Sequence, residues 1–242
     1  MIETVSAAPV PPRGLVGRLA GALLSPQSTY AQLAERPTWA GLMAIVIVMV
    51  SAPMAVLMST SVGQRALLDT QMQAFETFGR TVNAAQYQAL QRFAAIAPYT
   101  AVANGVVGVP LGVLVVSALV LAIFTGLLGG RATFRQVFAV TTGSWVVLAL
   151  RVVFSAPLDY VRQTLTSPTN LAAVLPFFED DTFPARLLGS LDLFLIWWIL
   201  NLSIGIAVLY KKRTAPVATT LLGVYVVIGL AIAIVRSLLS GA

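Results

Sequence analysis

Four polar side chains interrupt the long apolar runs of this sequence: Arg151, Asp192, Asn201 and Arg236. A charge inside a membrane span is costly, so each ionisable one is either a working group or half of an ion pair. Counted along the runs, Arg151, Asp192 and Arg236 fall about three to five residues, on the order of 5–8 Å, inside the same edge. A carboxylate there could relay protons or ions, or hold a substrate. It could equally be closed off by a salt bridge to Arg151 or Arg236, with the other arginine snorkelling to headgroups. Asn201 lies nine residues beyond Asp192, which turns it to the opposite helix face at 100° per residue. Mid-span, it would coordinate a solute or hydrogen-bond across to Thr141, Thr142 or Ser144, a contact worth roughly 0.6–2 kcal/mol.

Other chemistry is scarce. Cysteine and histidine are absent, which removes disulfides, thiolate nucleophiles, most zinc sites and every Ser-His or Cys-His dyad. Glu179-Asp180-Asp181 has the charge for a divalent cation but no flanking pattern of an EF-hand loop. One carboxylate inside the spans is too few for an aspartyl pair. The sequence therefore implies no enzyme, cofactor or metal.

The elements that must position these residues are membrane helices. Of 242 residues, 58% are hydrophobic and 10% charged, against about 25% charged in soluble domains, and mean hydropathy is +0.87. The pattern predicts an all-α polytopic bundle of five transmembrane helices, at about 40–59, 106–128, 134–156, 191–210 and 217–238. Residues 1–12 read as a flexible tail and 13–242 as a single membrane domain. Within 13–36, Leu15, Val16, Leu19, Leu23 and Leu24 form an apolar stripe beside Arg13 and Arg18, as in a short amphipathic helix lying in the membrane interface. Ser25-Pro26 starts a second short helix that stops before Pro37. Between the first two spans, 64–92 reads as amphipathic helix on the outer surface, with Asn83 as a cap. The charge-free stretch 93–130 is long for one helix; we read an interfacial segment containing Pro98 followed by one span bent near Pro110. The third span ends before Pro157, leaving an acidic loop to Arg186.

Charge sets the expected orientation. Arg13, Arg18, Arg36, Arg131, Arg135, Lys211, Lys212 and Arg213 fall on one side with only Glu3 and Glu35. The positive-inside rule makes that side cytoplasmic, with the N-terminus inside and the C-terminus outside. The net charge of +6 then reflects orientation and anionic lipid headgroups, which Arg13, Arg18, Arg131, Arg135, Lys211, Lys212 and Arg213 would face, and not nucleic acid.

Four stretches are familiar in order: LLSPQSTYAQLAERPTW, LLGGRATFRQVFAV, TNLAAVLP and SLDLFLIWWILNLSIGIAVLYKKR. Together they resemble bacterial members of the YIP1 (Yip1 domain) family of integral membrane proteins. The resemblance implies a non-enzymatic bacterial inner-membrane protein that scaffolds other membrane proteins or lipids, or associates with itself. The alternative is a small-solute or ion transporter or channel using Asp192 and Asn201.

Overall fold

A computed structural model describes residues 14–77, 79–175, 177 and 182–239. The tail 1–12, Arg13 and the Glu179-Asp180-Asp181 run lie outside them, as does the side chain of Arg236. The described chain is helical almost throughout, and five helices are long and apolar enough to cross a membrane.

Two short helices come first, α1 (Leu15–Leu24) and α2 (Pro26–Glu35), the second started by a proline in its first turn. Then follow α3 (Ala40–Met58), α4 (Ser61–Thr77) and α5 (Ala84–Ala95). Asn83 caps α5 reciprocally with Gln86, satisfying two backbone donors that the first turn leaves orphaned.

The ambiguous stretch 93–130 resolves as one rod. Helix α6 (Ala97–Ala103), a π-helical turn (Asn104–Gly108), α7 (Val109–Leu121) and a second π-helical turn (Ala122–Leu127) run on without a break. The segment around Pro98 is therefore the first turn of the span itself, where a missing N–H costs nothing. Pro110 falls just after the first π-helical turn, so its missing donor coincides with a change of hydrogen-bond register.

Helix α8 (Phe134–Arg162) corrects a second expectation. It continues six residues beyond Ala156, straight through Pro157, and stops at Gln163 in a left-handed conformation (φ 55°). Asp159, expected in the loop, is on this helix and buried. At 29 residues the helix is about 43 Å long, more than a hydrocarbon core requires. Two short helices, α9 (Leu171–Val174) and α10 (Phe183–Gly189), lead into α11 (Leu193–Tyr210) and α12 (Thr214–Leu239).

Helix α8 is the axis of the bundle. Over its most apolar window 56% of residues are buried, against 22% in the Ala97–Leu127 rod and in α12, which are peripheral. Helices α1, α2, α3, α7 and α11 all pack on it. Its Thr133–Gln136 capping box starts it beside the end of α11. The starts of α3 and α8 meet through an edge-to-face contact of Trp39 and Phe138, centroids 5.1 Å apart.

The interfacial reading of α1 and α2 covers only one of their faces. Val16 and Leu24 are exposed, but Gly21, Ala22, Thr29, Tyr30 and Leu33 are buried, and Ala22, Tyr30 and Leu33 share the main core with α3, α7 and α8. An apolar stripe shows that a face avoids water; it does not tell lipid from protein. Here the neighbouring spans carry glycines that admit a helix. A Cβ at Gly143 would lie 2.9 Å from the Tyr30 ring, and one at Gly205 would strike Val140 and crowd that same ring.

Candidate functional site

The polar residues gather in two separate clusters and a basic rim. The first cluster is built around Asp192. The residue is not within the span, as its position in the apolar run implied; it is the N-cap of α11, with extended backbone. Its Oδ1 accepts the N–H groups of Phe194 (2.9 Å) and Leu195 (3.3 Å), two of the donors that a helix start leaves open. Its Oδ2 accepts the hydroxyls of Ser167 (2.6 Å) and Thr169 (2.8 Å), and lies 3.2 Å from Arg151 Nη2. The same arginine nitrogen donates to Ser167 Oγ at 3.2 Å. Of the two arginines considered as partners, Arg151 is the one placed on the carboxylate.

The loop after α8 closes over this point. Leu171 N–H donates to the Leu191 carbonyl (2.8 Å), and Leu193 N–H to the Thr169 carbonyl (3.0 Å). Asn170 and Asp192 thus form an antiparallel bridge, and the Asn170 side chain caps α9. From α12, the Tyr225 hydroxyl accepts the Asp192 N–H at 2.8 Å, and Ser190 Oγ donates to the Gly229 carbonyl at 3.1 Å. The Asp192 carboxylate therefore joins α8, α11 and the intervening loop, and its backbone N–H ties the same point to α12. Burial raises the pKa of Asp192, but the hydroxyls of Ser167 and Thr169, the Arg151 charge and the Phe194 N–H outweigh it and hold the group below the ordinary aspartate value.

The second cluster is neutral. Asn201 is 1% exposed and is the ninth of the eighteen residues of α11. Its Oδ1 accepts the Tyr30 hydroxyl, and its Nδ2 donates to the Ala22 carbonyl at 2.7 Å. The expected partners on α8 are engaged elsewhere or face away. Thr142 bonds back to the Phe138 carbonyl, Ser144 takes the Trp198 indole N–H, and Thr141 Oγ1 has no partner. Asn201 instead fastens both short N-terminal helices to α11. Near it, Gln136 Nε2 donates to the Ala34 carbonyl at 2.8 Å and fixes the end of α2 to α8. Burial pushes the Tyr30 phenol up, so it stays a neutral donor.

The basic residues sit at the opposite end of the bundle from Asp192. Arg131, Arg135, Lys211, Lys212 and Arg213 are exposed, and Arg18 is half-buried with a guanidinium hydrogen bond to Thr38. Arg131, Lys211 and Lys212 line a cavity of about 460 Å³ where the end of the Ala97–Leu127 rod, the start of α8 and the end of α11 meet.

The Ser167 and Thr169 hydroxyls do meet the Asp192 carboxylate, but its lowered pKa makes it a weak base, and among the described residues no three His, Cys, Asp or Glu side chains converge as metal ligands. What the arrangement does is fasten helices and loops. A Yip1 domain model matches residues 20–235. The chain belongs to the Yip1 domain family. No curated protein and no solved structure matches it. In this Yip1 domain the matched region contains Ala22, Tyr30, Arg151, Asp192, Asn201 and Tyr225, so both clusters fall within it.

The sequence pointed to Asp192, Arg151 and Asn201 but missed Tyr30, Ala22, Ser167, Thr169 and Tyr225. Tyr30 and the Thr169-Asn170 pair stood inside stretches that carried the family resemblance. An aromatic hydroxyl following a Ser-Pro helix start was the available signal for the first.

Proposed function

We propose that this Yip1 domain protein is a non-enzymatic organiser of membrane proteins or lipids in a bacterial cytoplasmic membrane. In this reading its basic end faces the cytoplasm, with the N-terminus inside and the C-terminus outside. The observation that carries the reading is the use already made of its buried polar groups. Asp192 takes four hydrogen bonds and an ion pair from its own chain, and Asn201 uses both ends of its amide within the bundle. A transport site needs ligands turned toward a solute, whereas the Asp192 carboxylate is filled by its own chain and the Asn201 amide is held at both ends. What remains available to partners is surface: exposed apolar faces on the peripheral helices and a basic rim.

Co-purification in mild detergent, with bound proteins and lipids identified, tests this. A defined protein partner or a stoichiometric self-association is expected. A small solute held at Asp192 would overturn it in favour of transport. The orientation is tested separately, since the chain has no cysteine. Single cysteines at Ser28, Thr182 and Ala242, probed with an impermeant thiol reagent in intact cells, should react at Thr182 and Ala242 only. Reaction at Ser28, or protection of both others, would reverse the assignment.

A further inference from the structure

We infer that the cavity at the basic end is a binding site for one anionic phospholipid headgroup. This rests on the proposed placement of that end at the cytoplasmic headgroup layer, and adds a specific site to it. Three cations, Arg131, Lys211 and Lys212, face a shared cavity of about 460 Å³. None of their side chains has a hydrogen-bond or ion-pair partner among the described residues. Glu35 is the one acid of the described residues at that end, and it does not line the cavity. The charge is therefore uncompensated by the described residues. The start of α8, a helix of 29 residues, adds the positive end of its dipole beside Arg131.

The cationic loop is also held in place, which a merely solvated charge run does not require. Gly129 takes φ +67°, and Lys211 turns the chain at φ 51°. A side chain on Gly130 would strike the Tyr210 ring and the Phe124 carbonyl. The Tyr210 hydroxyl is bonded to Thr125 Oγ1 at 2.9 Å, and its ring packs on Phe124 with centroids 5.2 Å apart. These contacts hold the backbone that carries Arg131 against the end of α11, which carries Lys211 and Lys212. With their backbones already held together, the three cations lose less freedom in converging on one phosphate.

The rest of the cavity says which phosphate. Phe124 and Leu209 give it an apolar wall, and Leu128, 59% exposed, lines it at the end of the rod. A free phosphate has no use for that surface, whereas a phospholipid places glycerol and acyl chains along it. Basic pockets between helix ends are where such headgroups lodge.

Native mass spectrometry of the full chain, titrated with phosphatidylglycerol or phosphatidylcholine, tests the site. One phosphatidylglycerol should be retained in preference to phosphatidylcholine. Arg131→Gln with Lys212→Gln should weaken it by about tenfold or more, while Arg135→Gln with Arg213→Gln, the same charge removed outside the cavity, should leave it nearly intact. Melting temperatures of both double variants should match the parent; if the cavity pair alone melts lower, the single Lys212→Gln variant must reproduce the selective loss. Equal weakening by the two double variants would mean diffuse attraction to the rim and would overturn the pocket, leaving the organising role untouched. Displacement of the lipid by millimolar inorganic phosphate would overturn the lipid assignment. Reversed cysteine labelling at Ser28 would instead remove the orientation on which the site rests.

Discussion

The two polar clusters of this bundle do similar work with opposite chemistry. Around Asp192 a full charge is used, at a helix start where loop hydroxyls, backbone N–H groups and an arginine surround it. Around Asn201, at the middle of α11, only neutral groups appear. A charge at mid-span would need a counter-charge of its own, whereas an amide joins a phenol and a carbonyl without one. Where water and headgroups are close a carboxylate is affordable, and it reaches five donors; deeper, two hydrogen bonds are the economical tie.

This contrast predicts different costs. Asp192→Leu should be the most damaging change. It removes the α11 cap, frees Ser167 and Thr169, and leaves Arg151 unpaired. Breaking a buried pair costs about 3–5 kcal/mol, and the one-third exposure of Arg151 brings the expectation to about 3 kcal/mol. Arg151→Leu should cost about 1 kcal/mol or less, because the carboxylate keeps its four hydrogen bonds. The double variant should then recover only part of the Asp192→Leu loss. Thermal unfolding in nanodiscs measures all three; full recovery would show that the ion pair, and not the cap and loop closure, carries the cluster.

At the neutral cluster, Asn201→Leu orphans a buried hydroxyl and a buried carbonyl, for an expected loss of about 2 kcal/mol. Tyr30→Phe removes one donor and should cost about 1 kcal/mol. If Tyr30→Phe proves as harmful as Asn201→Leu, the Ala22 carbonyl contributes nothing to the tie.

How far the sequence could be read follows from the range of each interaction. The five spans were legible because length and apolarity are local. Arg151 and Asp192 were legible as residue types, yet their depth was not. Pro157 seemed to end α8, but a proline removes one hydrogen bond of the ladder, and packing of Ala156 and burial of Asp159 on either side carry the helix past it. The loop 163–170 gives no periodicity, so its closure over Asp192, through hydroxyls 23 and 25 residues away, could not be seen. The seating of α1 and α2 depended on Gly143 and Gly205, far along the chain, offering space.

The smallest effect separates the clusters by pH. Asp192 has a lowered pKa in the folded state, so its contribution is present above the unfolded value of about 3.9 and lost as pH falls through the lower folded value. The melting-temperature gap between the parent and Asp192→Asn should therefore shrink below about pH 4, while the gap for Asn201→Leu should not. A constant gap for Asp192→Asn would mean its charge is not favoured by folding.

The claim on which this account most depends is that α2 is seated in the bundle and does not lie along its surface. Two single cysteines on that helix decide it in the reconstituted full chain: Ser28→Cys, at an exposed position, and Leu33→Cys, at one that is 1% exposed. With a small permeant maleimide, Leu33→Cys should react about tenfold or more slowly than Ser28→Cys, and the Asn201→Leu change should narrow that difference. Equal rates at the two positions in the parent would contradict it.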